Sequence, residues 1–207
     1  MTGAVSTTLV RPYRESDRDA VYEVCIATGH GGTDARGVYR RPDILPEIFA
    51  GPHLAFEPEF AFVLEDAGAV VGYTLGTADT AAHAARFRAE WLPAAAIRFP
   101  ALDHPAGDLD EYMVDLLHTP ERKVRPELAD DYPAHLHVDI LPAHQGAGHG
   151  RALIETLLGA LATAGVPGVH LSTLHTNTSS VAFYTRLGFA TLPLAHPMLT
   201  YLGRATA

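Results

Sequence analysis

The segment that most constrains this chain is a change of hydrophobic period across a glycine-rich turn. Ala134 to Leu141 (AHLHVDIL) alternates, with Leu136, Val138 and Ile140 on one side and His135, His137 and Asp139 on the other. That is the period of a half-buried strand. Leu153, Leu157 and Leu161 then fall at i, i+4 and i+8 of a helix that Gly165 and Pro167 end. Between the two lies Gln145-Gly146-Ala147-Gly148-His149-Gly150. Glycines at a strand-to-helix turn let consecutive N–H groups point inward, and the helix N-terminus adds partial positive charge, an arrangement that holds phosphate. A P-loop is excluded because no Gly-Lys-Ser/Thr follows, and the dinucleotide fingerprint because these glycines fall at 1, 3 and 5 rather than 1, 3 and 6. A tight turn with no ligand is the other reading of the same residues.

The remaining pattern predicts a mixed α/β (α+β) fold in one domain over residues 1–207, a central sheet flanked by helices. Thr7 to Tyr13 reads as a first strand. Ser16 opens a helix with Asp19 as its capping-box partner, Val21, Val24, Cys25 and Thr28 form its apolar face, and Gly29 stops it. His30 to Pro42 reads as a loop and Asp43 to Ala50 as a short helix. Ala61 to Asp66 and Ala69 to Thr77, separated by Ala67-Gly68, predict a hairpin. Residues 79–133 are too long for a plain connection at about 55 residues, so they read as an insert with its own helices. Val169 to Leu174 predicts a strand, Ser179 to Leu187 a helix stopped by Gly188, and Pro197 to Leu202 a last strand.

Composition narrows the partners. With 15 Lys+Arg against 24 Asp+Glu the formal net charge is −9, which argues against nucleic acid or anionic lipid and favours cationic ligands. No apolar run is long enough to span a membrane. Met1 to Val10 lacks a signal-peptide pattern, and the lone Cys25 allows neither an internal disulfide nor a Cys-rich zinc site. A cytoplasmic monomer or homodimer is expected. Cys25 on an apolar helix face reads as core.

Gln145-x-x-Gly-x-Gly150, directly after Ile140-Leu141-Pro142, resembles the acetyl-CoA loop of the GNAT acetyltransferase superfamily. Asn177, followed by Phe183-Tyr184-Thr185-Arg186-Leu187-Gly188-Phe189, resembles that family's downstream segment. A narrower resemblance, to the acetyltransferase-like C-terminal domain of O-GlcNAcase, spans nearly the whole chain. It rests on Val10-Arg11-Pro12-Tyr13, Phe62 to Asp66, Gly72 to Thr77, Glu90-Trp91-Leu92-Pro93 and Asp139-Ile140. The animal domain of that type has lost the glycine loop, whereas this chain keeps it.

The resemblance implies acetyl-CoA as cosubstrate and acetyl transfer to an amine, with no metal expected. The pyrophosphate would lie on Gln145, Gly146, Ala147, Gly148, His149 and Gly150 at the start of the Arg151 helix, with His144, Arg151 and Arg186 as nearby cations. Backbone groups of Ile140 and Leu141 would pair with the pantetheine arm; a strand N–H polarising the carbonyl is worth about 10²–10³ in rate. Tyr184 matches the general acid beside the sulfur, and Asn177 is a cofactor contact, a helix cap, or both. Asp139 stands first as the base on the resemblance, with His137 and His135 as alternatives on the same strand face. Trp91, Tyr112 and Asp115 on the insert, together with His137, are the candidates to line a pocket for a small-molecule or peptide amine.

Two other classes stand beside this one. His135-x-His137-x-Asp139 resembles the ligand run of metallo-β-lactamase-like hydrolases, although Ile140 stands where that family places a histidine, and strand alternation would put all three on one side of a metal. A CoA-binding module without turnover is the other; the intact loop and Tyr184 favour an enzyme over it.

Overall fold

The computed structural model describes residues 8–207. The start of the first predicted strand at Thr7, and most of the Met1 to Val10 segment, lie outside them. The elements are β1 (Leu9–Pro12), α1 (Arg18–Thr28), α2 (Ile44–Phe49), α3 (Gly51–Phe56), β2 (Ala61–Asp66), β3 (Ala69–Thr77), α4 (Thr80–Arg86), α5 (Leu92–Arg98), α6 (Leu109–His118), β4 (Ala134–Ile140), α7 (His149–Thr163), β5 (Gly168–Leu174), α8 (Thr178–Arg186), β6 (Ala190–Thr191) and β7 (Leu199–Ala205).

The strands form one seven-stranded sheet in the order β1-β2-β3-β4-β5-β7-β6. Every neighbouring pair is antiparallel except β4 and β5. The β2–β3 hairpin turns at Ala67-Gly68, both at positive φ (48° and 84°), the backbone sign of the tight turn that the sequence predicts. β3 and β4 pair without a slip from Gly72↔Ile140 to Thr77↔His135. The predicted alternation of β4 therefore survives intact: Leu136 and Ile140 face α7, while His135, His137 and Asp139 share the opposite face.

Two apolar layers enclose the sheet. On the α7 side Leu153, Leu157 and Leu161 are fully buried against Leu64, Leu136 and Val169, each such leucine contributing about 1.5–3 kcal/mol of transfer free energy. On the other side α1 buries Val21, Val24 and Cys25 with Ile44, Leu45, Tyr73 and Leu75. The insert joins this second layer through Phe87, Leu92, Phe99, Met113 and Leu117.

Local predictions fail where a distant partner intervenes. Ser16 and Asp19 form no capping box. Arg11 on β1 grips Asp17 at 2.6 and 2.9 Å and Glu65 at 2.6 Å. Asp17, whose carboxyl Arg11 holds below the ordinary aspartate range, also accepts the Arg14 N–H at 2.8 Å, and α1 begins one residue later. α3 and the two-residue β6 have no counterpart in the sequence reading. Among the described residues no helix is long and apolar enough to cross a membrane.

Candidate active site

β4 and β5 pair only at Ala134↔Val169 and His135↔His170, and beyond that point they diverge. α7 and α8 start on the far side of the gap. The result is a cleft of about 750 Å³, within the size range of small-molecule sites. Antiparallel alternation with β3 directs the N–H groups of Leu136, Val138 and Ile140 away from β3 and toward the gap.

The glycine loop forms the outer wall. Gly146 (φ 80°) and Gly148 (φ 87°) are left-handed, and a Cβ on either would meet no atom within 4 Å. Their side-chain positions thus open onto free space, and Gly148 caps the N-terminus of α7. Gly150 is different: a Cβ there would stand 3.0 Å from Phe183 Cζ, so it is needed for close packing of α7 on α8. The Gln145 amide donates to the Ile140 carbonyl at 2.8 Å and ties the loop to its strand.

Gln145, Gly146, Gly148, Gly150, Arg151 and Ile140 border the cleft, as do Asn177, Tyr184 and Arg186. Ala147 and His149 do not line it. Leu141 departs from expectation, because its N–H donates to the Val71 carbonyl and its own carbonyl accepts from the His144 N–H, each at 2.9 Å. Both backbone groups are used within the fold, and Val138 takes its place as a strand residue facing the gap. Asn177 accepts the Ser180 N–H at 3.0 Å as the cap of α8. Arg151 pairs with Glu155 at 3.1 Å, and His144 leans on Asp66 at 3.2 Å, which leaves Arg186 as a cation facing the cleft.

The inner wall carries the titratable groups. Asp139 is half-buried, its Oδ2 accepting the Tyr73 hydroxyl at 2.6 Å. Burial raises its pKa above the ordinary aspartate value despite that donor. His137 borders the same cleft, but burial and the Lys123 charge push it down to about 3. His135 is likewise driven well below the ordinary histidine value by burial and its histidine neighbours. Of the three residues on this strand face, Asp139 alone moves toward neutrality as a proton acceptor. Tyr184, 8% exposed, is pushed up by burial and by the Asp139 charge, so it holds its proton. Cys25 lies in the same wall with its thiol pushed up to about 12 by burial, which suits packing and not nucleophilic attack.

The insert candidates stand elsewhere. The Trp91 indole N–H donates to the Glu47 carbonyl at 3.0 Å. Asp115 pairs with Arg122, whose guanidinium lies 5.8 Å from the Tyr112 ring centroid. None of the three borders the cleft: Trp91 ties the insert to α2, and Tyr112 and Asp115 are engaged with Arg122 inside the insert. The inner end of the cleft is lined instead by Thr28, Gly29, Leu45 and Phe49 with His137 and Asp139.

The metal triad is also rearranged. Asp139 turns to Tyr73, while His53 from α3 joins His135 and His137, one ring nitrogen of each lying within 4.8 Å of the others. His53 and the adjacent His83 on α4 are residues that the sequence reading missed.

A strand pair splayed beside a glycine loop, with Asp139 and Tyr184 at the gap, is the frame of an acyl-transfer fold. Residues 116–189 match the model of the "Acetyltransferase (GNAT) family". The solved structure titled "Crystal structure of SsHAT" is 53% identical, covering 97% of this chain and 99% of that one, with a TM-score of 0.93. This chain belongs to the GNAT acetyltransferase family. Among curated proteins it is similar to protein O-GlcNAcase of Rattus norvegicus and of Mus musculus, each 24% identical over 182 residues, or 86% of this chain. The match covers 20% of those longer proteins, so the chain spans about a fifth of their length. yncA, described as a putative acetyltransferase from Salmonella typhimurium with its cofactor acetyl-CoA, shares the fold at 18% identity and a TM-score of 0.54, covering 97% of this chain and 94% of that one.

Proposed function

We propose that this protein is an acetyl-CoA-dependent N-acetyltransferase that carries acetyl from the thioester directly to an amine. The observation that carries the reading is the convergence on one cleft of Gly146 and Gly148, whose side-chain positions are open, with half-buried Asp139 and buried Tyr184. The glycine backbone and the N-terminus of α7 suit a pyrophosphate, with Arg186 as the local cation in a chain of net charge −9. Ile140 and Val138 face the gap with strand N–H groups that suit the pantetheine amides.

Acetyl-CoA supplies the activated acetyl group, and the residues of the chain manage the protons. Asp139, held by Tyr73, takes a proton from the incoming ammonium. As the C–N bond forms and the C–S bond breaks, Tyr184 gives its hydroxyl proton to the departing sulfur. A phenol kept protonated by burial is matched to that task. The second proton of the nitrogen, shed as the amide forms, passes to solvent, which also removes the proton from Asp139 and restores the one on Tyr184. A cationic small molecule or peptide amine is the acceptor class that the acidic surface and Asp139 favour.

The test is a panel of amines with acetyl-CoA, read by release of free thiol. At least one amine should give turnover, and Tyr184→Phe should lower kcat about 100-fold with acetyl-CoA affinity nearly unchanged. An absence of thiol release with every amine, or unchanged turnover in Tyr184→Phe with chemistry rate-limiting, contradicts the reading.

A further inference from the structure

Behind the inner wall of the cleft, four imidazoles meet away from the acetyl-transfer groups. The His53 ring centroid lies 4.3 Å from that of His83, 5.1 Å from His135 and 5.2 Å from His137. These histidines come from α3, α4 and β4, and no function so far described uses them as a group.

Their tautomers follow from their partners. The Thr80 hydroxyl has one proton and donates it to the Pro133 carbonyl at 2.8 Å. It therefore accepts from His135 Nδ1 at 3.0 Å, which leaves His135 Nε2 as a bare lone pair. His53 Nε2, 3.0 Å from that lone pair, must carry the proton, so His53 Nδ1 is bare. His83 Nδ1 faces the Glu57 carboxylate at 3.3 Å, which leaves its Nε2 bare as well. His53 Nδ1, His83 Nε2 and His137 Nε2 are all buried without a partner.

Each orphaned buried nitrogen costs about 1–3 kcal/mol. Independently of those orphans, His53, His135 and His137 each offer a ring nitrogen within 4.8 Å of the others, a grouping that suits a ligand accepting several lone pairs together. A hydroxyl or carboxylate holding the outer nitrogen of a histidine, so that the inner one faces a common centre, is the arrangement that orients metal ligands. We propose that His53, His135 and His137 bind one divalent transition-metal ion of the zinc class, with Thr80 as the positioning residue behind His135.

The geometry is close to what such an ion needs. Ligand nitrogens at about 2.05 Å from a tetrahedral ion stand about 3.3 Å apart. The two Nε2 atoms of His53 and His135 stand 3.0 Å apart, so an ion would take the place of the proton they share, which moves to the bare His53 Nδ1, and one nitrogen from each of the three lies within 4.8 Å of the others. Rotation of the His137 ring closes the remainder. His137 also borders the acetyl-transfer cleft, which gives an ion a route in and water a route to the fourth position. All-imidazole donors suit zinc, copper and nickel over magnesium or calcium.

The test uses tag-free protein stripped with chelator, then supplied with Zn²⁺, or with Co²⁺ as a spectroscopic probe. One zinc per chain should be retained through gel filtration, Tm should rise, and Co²⁺ should give the intense visible bands of a tetrahedral site. His137→Asn, at the cleft edge, should weaken zinc binding at least about 100-fold. Thr80→Val keeps every histidine and should weaken it about 10–100-fold. His175→Gln, outside the cluster, should bind as the parent does. If His53→Gln fails to fold, the His137 and Thr80 variants still decide. Failure to retain zinc, a Co²⁺ spectrum of octahedral type, or unweakened binding in His137→Asn overturns the proposal. These readouts need no acetyl-CoA, so their failure leaves the transferase reading untouched.

Discussion

The two sides of β4 were assembled by different means. On its α7 side the glycine-loop wall of the cleft comes from one contiguous segment, strand to glycine loop to helix, in which each residue's place depends on its neighbours in the chain. On its α1 side the histidine cluster draws on α3, α4 and β4, with partners 82 positions apart in the His53–His135 contact. A local site can be read from spacing. A site built by long-range packing cannot, because a single histidine on a short apolar helix carries no ligand spacing. Variants on each side sharpen that contrast.

The largest effect belongs to the local side. Gly148 is left-handed and its Cβ direction opens onto free space. Gly148→Trp should therefore fold, with a strained loop, and fill the volume assigned to the pyrophosphate. Acetyl-CoA at about 100 times its Kd should stabilise the parent by about 2.7 kcal/mol and should leave the variant's Tm unmoved. A normal shift in the variant would show that the loop is a bare turn.

Asp139 lies on the boundary between the two sides. Asp139→Asn should lower turnover about 10²–10⁴-fold while acetyl-CoA still binds. The parent's rate should fall as pH drops through an Asp139 pKa raised above the ordinary aspartate value. Stability should move the opposite way. A carboxyl whose folded pKa lies above its unfolded one stabilises the fold most below the unfolded value, and that contribution disappears as pH rises through the folded value. At neutral pH the charged, half-buried Asp139 is thus a liability. The asparagine variant should melt higher there and lose that advantage in acid. Chelator-treated samples keep the histidine site out of the comparison. Full activity at every pH would remove Asp139 from the mechanism.

The same division explains what could be read beforehand. The β2–β3 hairpin, the alternation of β4 and the leucine face of α7 follow from local period and turn chemistry, whereas the placing of Gln145, Gly148, Asn177 and Tyr184 at one cleft was legible only through the family resemblance. Ser16 did not become a cap because Arg11, brought in by β1–β2 pairing, holds Asp17 and Glu65 together. α3 was missed because its six residues open on Gly51-Pro52, a pair that reads as a breaker. Trp91, Tyr112 and Asp115 looked like pocket residues since aromatic and acidic groups on an insert suit a ligand, yet their partners Glu47 and Arg122 lie in other segments or turns. Leu141 fell from the cofactor set because the β3–β4 register, not its own sequence, decides which strand amides are spent.

The smallest effect concerns Asn177, where capping and cofactor contact can be separated. Its Oδ1 accepts the Ser180 N–H at 3.0 Å and the Ser179 hydroxyl at 2.9 Å, and the residue also borders the cleft. Asn177→Ala removes the cap and should cost about 0.5–2 kcal/mol. Serine caps about as well as asparagine, so Asn177→Ser should recover most of that stability. The cofactor role depends on the amide, which supplies an N–H₂ donor that serine cannot place at the same reach. If Asn177 only caps α8, KM for acetyl-CoA should rise in Asn177→Ala through a loosened helix and return to the parent value in Asn177→Ser. If its amide also holds the cofactor, stability returns with serine and KM does not. We expect the second pattern, with a several-fold KM increase in both variants, because the Asn177 side chain stands at the cleft wall and only one of its two polar ends is occupied by the helix.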